Sequence, residues 1–146
     1  MLKLLWKYFI ILLRGDIMKI LAIDPGETSG VCIFENPREF ETKSIGKSFK
    51  EVADLMYSTT PDLVVYEQFK LYPTHVKALV WDEMYTSQTI GVIRYVCELL
   101  NIPTIAQSAF DKEFAVYPKD HKFPNDHERD AYGHAWYYYM NKVAII

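Results

Sequence analysis

Two short apolar segments without a polar interruption constrain the fold of this chain more than any other feature. Lys19–Ile23 reads KILAI, and Leu63–Tyr66 reads LVVY. A strand with one solvated face alternates apolar and polar residues, whereas a central strand of a parallel sheet is apolar throughout because both of its faces are buried. The two segments therefore predict buried strands of a sheet that is covered by other elements.

The remaining segments complete the pattern of an α/β domain. Strands are predicted over Ser29–Glu35, Phe40–Ile45 and Thr104–Ala106, with a turn at Asn36-Pro37. Helices are predicted from an N-cap at Ser48 to Pro61, over Thr86–Leu100, and from about Asp126 to Tyr139. The order β-β-β-α-β-α-β-α is that of the ribonuclease H fold. We therefore expect a five-stranded mixed sheet, with three antiparallel strands and then parallel strands, flanked by helices.

The composition fits one globular domain, which we place at residues 18–146. The chain has 146 residues, of which 50% are hydrophobic and 24% are charged, and this balance argues against a disordered or fibrous chain. The cysteines Cys32 and Cys97 lack the spacing of metal ligands. They fit a reduced intracellular protein better than a disulfide scaffold.

Residues 1–17 do not follow the pattern of the domain. Their apolar run from Tyr8 to Leu13 is far shorter than the ~20 residues that span a bilayer, and no cleavage site of a signal peptide follows it. Three interpretations remain open: an added amphipathic helix, a weak membrane-surface segment, and a translated leader upstream of the true start. We favour the leader because Met18 directly precedes the first strand, and we expect no stable membrane partner.

The charge of the chain is acidic. The formal net charge is −3, and it becomes −5 without residues 1–17, which carry three cationic residues and one anionic residue. Nucleic-acid-binding domains are usually basic on at least one face. An acidic chain is nevertheless compatible with a DNA partner if several carboxylates belong to a site that bound cations neutralise.

Three acidic residues lie where the expected topology would bring them together. Asp24 follows the first strand, Glu67 follows the fourth, and Asp130 lies on the last helix, with Asp126 and His127 one turn earlier. Ligand sites of open α/β sheets lie outside the carboxyl ends of the strands. We therefore expect Asp24 and Glu67 at one edge of the sheet, close to the last helix.

Such a cluster of carboxylates suits the hydrolysis of a phosphodiester. Two divalent cations held roughly 3.5–4 Å apart stabilise the attacking and the leaving oxygen of such a reaction. Mg²⁺ prefers oxygen ligands, so we expect two Mg²⁺ ions in the site, with Mn²⁺ as a substitute. Taken alone, Asp24 fits a simple turn residue and Asp126 fits a simple N-cap. The combined spacing is what indicates a site.

Three motifs resemble those of RuvC-type Holliday junction resolvases, which belong to the ribonuclease H-like superfamily. Ile23–Gly26 (IDPG) resembles the opening motif, Val65–Phe69 (VYEQF) the second, and His127–Ala131 (HERDA) the third. The helix that begins near Gln88 is similar to the long central helix of the family. The resemblance covers roughly residues 18–139.

The resemblance implies a metal-dependent endonuclease that resolves Holliday junctions or other branched DNA by paired cuts. It implies that Asp24, Glu67, His127 and Asp130 form the metal-binding and catalytic set, with Asp126 as a reserve metal ligand. The compact size is most similar to resolvases of bacteriophages, which implies a bacterial or infected-host cytoplasm. The family also has an aromatic wedge after the glutamate. Phe69 lies one residue nearer to Glu67 than the wedge residue of the family usually does, and Tyr72 is the alternative wedge residue.

Candidate DNA contacts and a dimer interface complete the prediction. The candidate phosphate contacts are Lys70, His75, Lys77, Lys112, Lys119 and Lys122. The resemblance implies a homodimer that is formed partly by the central helix. The predicted apolar patch consists of Trp81, Met84, Tyr85 and the outer side of Ile90–Leu100.

Two other functions remain open. A ribonuclease H-like nuclease that cuts RNA–DNA hybrids, or branched DNA without junction specificity, would have the same active site. A non-catalytic DNA-binding module would keep the fold, although the intact carboxylate set argues against it. Actin-like ATPases share the core topology, but they need two such domains, and the chain is too short for that.

Overall fold

The order of strands and helices agrees with the order expected from the sequence. The computed structural model describes Leu2, Lys3, Leu5 and residues 18–70 and 84–144, so most of the predicted extension over residues 1–17 lies outside the described residues. The strands are β1 (Ile20–Asp24), β2 (Ser29–Asn36), β3 (Glu39–Ile45), β4 (Leu63–Glu67) and β5 (Thr104–Gln107). The helices are α1 (Phe49–Thr59), α2 (Tyr85–Leu100) and α3 (Asp126–Tyr138), with a 3-10 helix at Asp111–Phe114 and a π-helical turn at Tyr139–Val143.

The five strands form one mixed sheet in the order β3-β2-β1-β4-β5. β2 is antiparallel to both β1 and β3, whereas β4 is parallel to both β1 and β5. Every residue of β1 is buried, as are the first four residues of β4. The predicted fold class is confirmed, and β1 and β4 are the central parallel strands that their uninterrupted apolar segments indicate.

A hydrophobic core lies on each face of the sheet. On one face α1 and α2 pack on the sheet, and Leu21 and Ile23 of β1 belong to this core. On the other face α3 packs on the sheet, and Ile20 and Ala22 belong to that core. None of the helices within the described ranges has both the length and the hydropathy of a bilayer-spanning segment.

A polar network fixes the beginning of α3 to β3. The N-cap is Asn125, whose side chain accepts a hydrogen bond from the backbone N–H of Glu128 at 2.9 Å. The buried carboxylate of Glu128 accepts hydrogen bonds from the Ser44 hydroxyl at 2.8 Å and from the Asn125 amide at 3.1 Å. α3 therefore begins at Asp126, as predicted, but Asn125 rather than Asp126 is its capping residue.

A glycine in β2 permits α3 to approach the sheet closely. A Cβ at Gly30 would overlap the backbone carbonyl of His127 and lie 2.7 Å from the backbone nitrogen of Glu128. These are rigid backbone atoms, so any side chain at this position would push the first turn of α3 away from the sheet. Gly30 thus sets the distance between β2 and the helix that carries Asp130.

Replacing Gly30 with alanine is expected to lower the free energy of unfolding by about 2–3 kcal/mol, because the added methyl overpacks the contact with α3. Urea denaturation measures this loss. The matched control is Gly91→Ala in α2, where the added Cβ meets no atom within 4 Å and helix propensity favours alanine by about 1 kcal/mol. Equal stability of Gly30→Ala and the wild type would contradict the close approach.

Candidate active site

The alternation of side chains along the central strands directs two carboxylates toward α3. In β1, Ala22 packs against the core beneath α3, and Ile23 packs against the opposite core. Because side chains alternate along a strand, the side chain of Asp24 points to the α3 face, as that of Ala22 does. Glu67 occupies the equivalent place in β4, because the register pairs the preceding residues of the two strands. The predicted meeting of Asp24 and Glu67 at one edge of the sheet is what the structure shows.

Asp24 and Glu67 form an electrostatically coupled pair of carboxyl groups. Burial, the negative charge of Glu67 and a hydrogen bond with Glu67 raise the pKa of Asp24 from 3.8 to about 7. Burial also acts to raise the pKa of Glu67, but hydrogen bonds from His134 and Lys112 outweigh this effect and lower the pKa from 4.5 to about 2. Between about pH 2 and pH 7 the pair therefore holds one proton, on Asp24, and one negative charge, on Glu67.

The ammonium group of Lys112 lies between the sheet and α3. Its Nζ is 2.8 Å from Oε1 of Glu67 and 2.9 Å from Oδ2 of Asp130. Burial acts to lower the pKa of Lys112, but its hydrogen bonds and ion pairs with the two carboxylates outweigh this effect and raise the pKa above its ordinary value. Lys112 is therefore a permanent cation that joins Glu67 to Asp130.

A second glycine permits Lys112 to reach this position. Lys112 belongs to the 3-10 helix, which packs against α3 at Gly133, where a Cβ would overlap the Tyr117 hydroxyl and lie 2.9 Å from Cβ of Lys112. The Tyr117 hydroxyl donates a hydrogen bond to the backbone carbonyl of Lys112 at 3.1 Å, and the guanidinium of Arg129 lies 3.9 Å from the centre of the Tyr117 ring. These contacts fix the backbone from which Lys112 extends.

His127 lies at the solvent-exposed rim of the site. Its Nδ1 is 3.4 Å from Oδ2 of Asp24, and 51% of its side chain is exposed. Asp126, its neighbour in the first turn of α3, is exposed. The structure therefore brings His127 into contact with Asp24, while Asp126 is exposed to solvent.

Two further residues of the site are not identified by the sequence motifs. His134 is fully buried, and its Nε2 lies 3.2 Å from Oε1 of Glu67. Its Nδ1 lies 2.7 Å from Oε1 of Gln107. The only sequence signal is spacing: His134 follows Asp130 by four residues and therefore shares its helix face, and Gln107 ends the strand next to Glu67.

The predicted DNA-contact residues occupy different environments. Phe69 is partly buried and Lys70 is exposed, and both line a groove of about 200 Å³ that begins beside Glu67. Lys119 and Lys122 are exposed on the segment that precedes α3. Lys112 instead points inward to the carboxylates. Tyr72, His75, Lys77 and Trp81 lie outside the described residues.

The predicted apolar patch on α2 needs one correction. Tyr85 is buried, with 7% of its surface exposed, because its ring stacks on Phe49 at a centroid distance of 4.6 Å. It is therefore part of the packing between α1 and α2 and is not available to a partner. The outer side of α2 exposes Tyr95 and Leu99, at 64% and 54%.

The donors of this site fit a hard divalent cation. Asp24, Glu67 and Asp130 supply carboxylate oxygens, which Mg²⁺ and Mn²⁺ prefer, and the ammonium of Lys112 already marks a cation position between two of them. Within the described part of the chain, no three side chains of His, Cys, Asp or Glu have the arrangement of a formed metal site. Because the Lys112 ammonium lies between Glu67 and Asp130, these two carboxylates would hold a metal ion together only after Lys112 moved away.

Comparison with known proteins identifies the fold. No protein-family model matches the chain, and no curated protein matches it. The structure of Thermus thermophilus RuvC in complex with a Holliday junction substrate matches with a TM-score of 0.65 and 14% identity, over 86% of this chain and 96% of that chain. A further T. thermophilus RuvC structure matches with a TM-score of 0.60 and 15% identity, over 85% and 96% of the two chains.

These likenesses and the observed topology define the class of fold as ribonuclease H-like. More particularly, the chain has the RuvC fold, which is the fold that the three sequence motifs imply. The strands and the helix that carry Asp24, Glu67 and Asp130 all belong to this fold.

The pKa of Asp24 leads to a prediction about stability in the absence of metal ions. Since its folded value of about 7 lies above its ordinary value of 3.8, the fold favours the protonated carboxyl, and this contribution is lost as pH rises through 7. Asp24→Asn is therefore expected to stabilise the protein at pH 8 by on the order of 2 kcal/mol and to have little effect at pH 4.

Urea denaturation in the presence of a chelator at both pH values measures this difference. Glu67→Gln serves as the comparison, because the folded pKa of Glu67 is lowered to about 2. Its ionised form stabilises the fold above pH 4.5, and this contribution is lost as pH falls toward 2. Glu67→Gln is therefore expected to destabilise the protein at pH 8. The same change in stability for Asp24→Asn at pH 4 and pH 8 would contradict the assigned coupling.

Proposed function

We propose that this protein is a divalent-metal-dependent endonuclease that resolves Holliday junctions or related branched DNA by paired hydrolysis of phosphodiester bonds. The observation that supports this most strongly is the convergence of Asp24, Glu67 and Asp130 from β1, β4 and α3 on one side of the sheet. The RuvC fold of the chain supports the choice of substrate, since one similar structure is that of RuvC in complex with a Holliday junction substrate.

The proposed metal ligands are Asp24, Glu67 and Asp130, with His127 as a further ligand and Asp126 in reserve. We propose two Mg²⁺ ions, for which Mn²⁺ substitutes. Bound divalent ions supply charge stabilisation for the attacking and leaving oxygens of the phosphodiester. The protein supplies the donors. Burial and the charge of Glu67 favour the protonated form of Asp24, and the positive charge of a bound cation would lower the pKa of this carboxyl and release its proton.

His127 and Lys112 have complementary roles in this proposal. As the alternative to binding a metal ion, the half-exposed imidazole of His127, in contact with Asp24, would help to activate the attacking water by accepting its proton. The ammonium of Lys112 neutralises Glu67 and Asp130 in the free protein. If divalent cations neutralised these two carboxylates, the Lys112 ammonium would be free to bind a phosphate of the substrate. This is the role that the sequence predicts for Lys112.

A DNA junction with two-fold symmetry needs two active sites for paired cuts, and a C2 dimer provides them. We propose that the exposed residues Tyr95 and Leu99 on α2 belong to the dimer interface. The proposed phosphate contacts outside the active site are Lys70, Lys77, Lys119 and Lys122, and the proposed aromatic wedge is Phe69 or Tyr72.

Purified protein with Mg²⁺ or Mn²⁺ is expected to cut a synthetic four-way junction into paired nicked duplexes. Glu67→Gln is expected to reduce the cleavage rate by about 10³-fold or more while the junction is still bound, because metal-ion stabilisation contributes several kcal/mol. Gel assays of binding and cleavage measure the two effects separately. The matched control is Glu51→Gln, which alters an exposed glutamate on the opposite side of the sheet.

A substrate panel of junction, flap, RNA–DNA hybrid and linear duplex separates junction specificity from the broader nuclease activity. Preferred cleavage of the hybrid would replace the junction assignment with that of a hybrid-cutting nuclease. Full activity of Glu67→Gln would overturn the active-site assignment itself.

A further inference from the structure

A chain of buried hydrogen bonds ends on Glu67. It runs from Gln107 to His134 at 2.7 Å and from His134 to Glu67 at 3.2 Å. His134 is 0% exposed and Gln107 is 5% exposed. An apolar side chain at position 134 would fill the same space without requiring any polar partner, whereas a buried imidazole requires partners for both of its nitrogens.

The topology brings the three side chains together. Glu67 and Gln107 are paired in register on the parallel strands β4 and β5, so their side chains lie on the same face of the sheet. His134 extends from α3, the helix that covers that face. Each residue therefore comes from a separate element, and the contact forms only when the sheet and α3 are packed together.

The hydrogen bonds define the orientation of the imidazole. An ionised carboxylate only accepts hydrogen bonds, so the Nε2 of His134 carries the hydrogen that it donates to Glu67. The side-chain amide of Gln107 faces Nδ1 and can present either its oxygen or its NH₂ group after a half-turn. Gln107 thus holds the ring in place, and the ring holds Oε1 of Glu67.

His134 and Lys112 contact the same oxygen of Glu67 but differ in their surroundings. The Lys112 ammonium also contacts Oε1, and 21% of the Lys112 side chain is exposed at the end of a flexible stem. A metal ion held by Glu67 and Asp130 would displace Lys112. His134 is fully enclosed, so its hydrogen bond would remain and would continue to fix the orientation of the Glu67 carboxylate.

We propose that His134, supported by Gln107, is the positioning residue of the active site: it holds Glu67 in the orientation in which this carboxylate binds a divalent cation. This inference rests on the proposed function, since it requires Glu67 to be a metal ligand. Outer residues that orient a ligand typically change metal affinity or activity by about 10–100-fold when they are replaced.

The test compares His134→Leu with His134→Gln in the full chain. The leucine removes the donor, whereas the amide nitrogen of the glutamine restores one near the place of Nε2. Calorimetric titration with Mn²⁺ alone is expected to show about 10–100-fold weaker binding for His134→Leu and binding within about 3-fold of the wild type for His134→Gln. In junction cleavage, kcat is expected to fall for the leucine variant at unchanged KM for DNA.

The outcomes separate this inference from the proposed function. If the wild type binds Mn²⁺ and cuts the junction, and a folded His134→Leu variant binds Mn²⁺ equally well, the inference is wrong and the proposed function stands. If the wild type neither binds Mn²⁺ nor cuts any branched DNA, both are wrong. A low melting temperature of His134→Leu with unchanged Mn²⁺ affinity would show a structural role only, which also overturns the inference.

A spectroscopic measurement decides the case in which His134→Leu does not fold. In ¹⁵N-labelled wild-type protein, the Nε2–H proton of His134 is expected to resonate downfield, as a hydrogen bond to a carboxylate requires. In Glu67→Gln, which leaves a neutral acceptor at the same place, this resonance is expected to move upfield. An unchanged resonance would show that His134 does not donate to Glu67.

Discussion

Three carboxyl groups face one another across the narrow gap between the sheet and α3, and the structure around them compensates for their repulsion. Lys112 neutralises Glu67 and Asp130 through contacts of 2.8 and 2.9 Å. Asp24 takes a proton, since burial and the charge of Glu67 raise its pKa to about 7. Lys112 and the Asp24 proton thus neutralise the carboxyl groups when no metal ion is bound. A divalent cation could replace both of them, since the same carboxyl oxygens are donors that it prefers.

Close packing between α3 and its neighbours makes this arrangement possible. Gly30 lets the first turn of α3 rest on β2, and Gly133 lets the 3-10 helix rest on α3, because a Cβ at either place would overlap atoms of the partner. The first contact brings His127 to Asp24, and the second brings Lys112 to Asp130. Two residues without side chains therefore determine the distances between the residues that carry the charge.

The sequence predicts the parts of the site that depend on local patterns. Uninterrupted apolar strands locate Asp24 and Glu67 at their carboxyl ends, and helical spacing locates Asp130. The inward position of Lys112 depends on the packing of a 3-10 helix against Gly133, which no local pattern encodes. The same holds for Tyr85, whose burial results from stacking on Phe49, and for His134, whose partners come from two different strands.

The central claim is that the carboxylates of Asp24, Glu67 and Asp130 bind divalent cations. The most direct measurement is anomalous diffraction from crystals of the full chain grown with Mn²⁺ above pH 7, where Asp24 is ionised. The predicted result is an anomalous peak within coordination distance of Asp24 and Glu67, with the Lys112 ammonium no longer between Glu67 and Asp130. Absence of Mn²⁺ from these carboxylates at a saturating concentration, with Lys112 still joining Glu67 to Asp130, would contradict the claim.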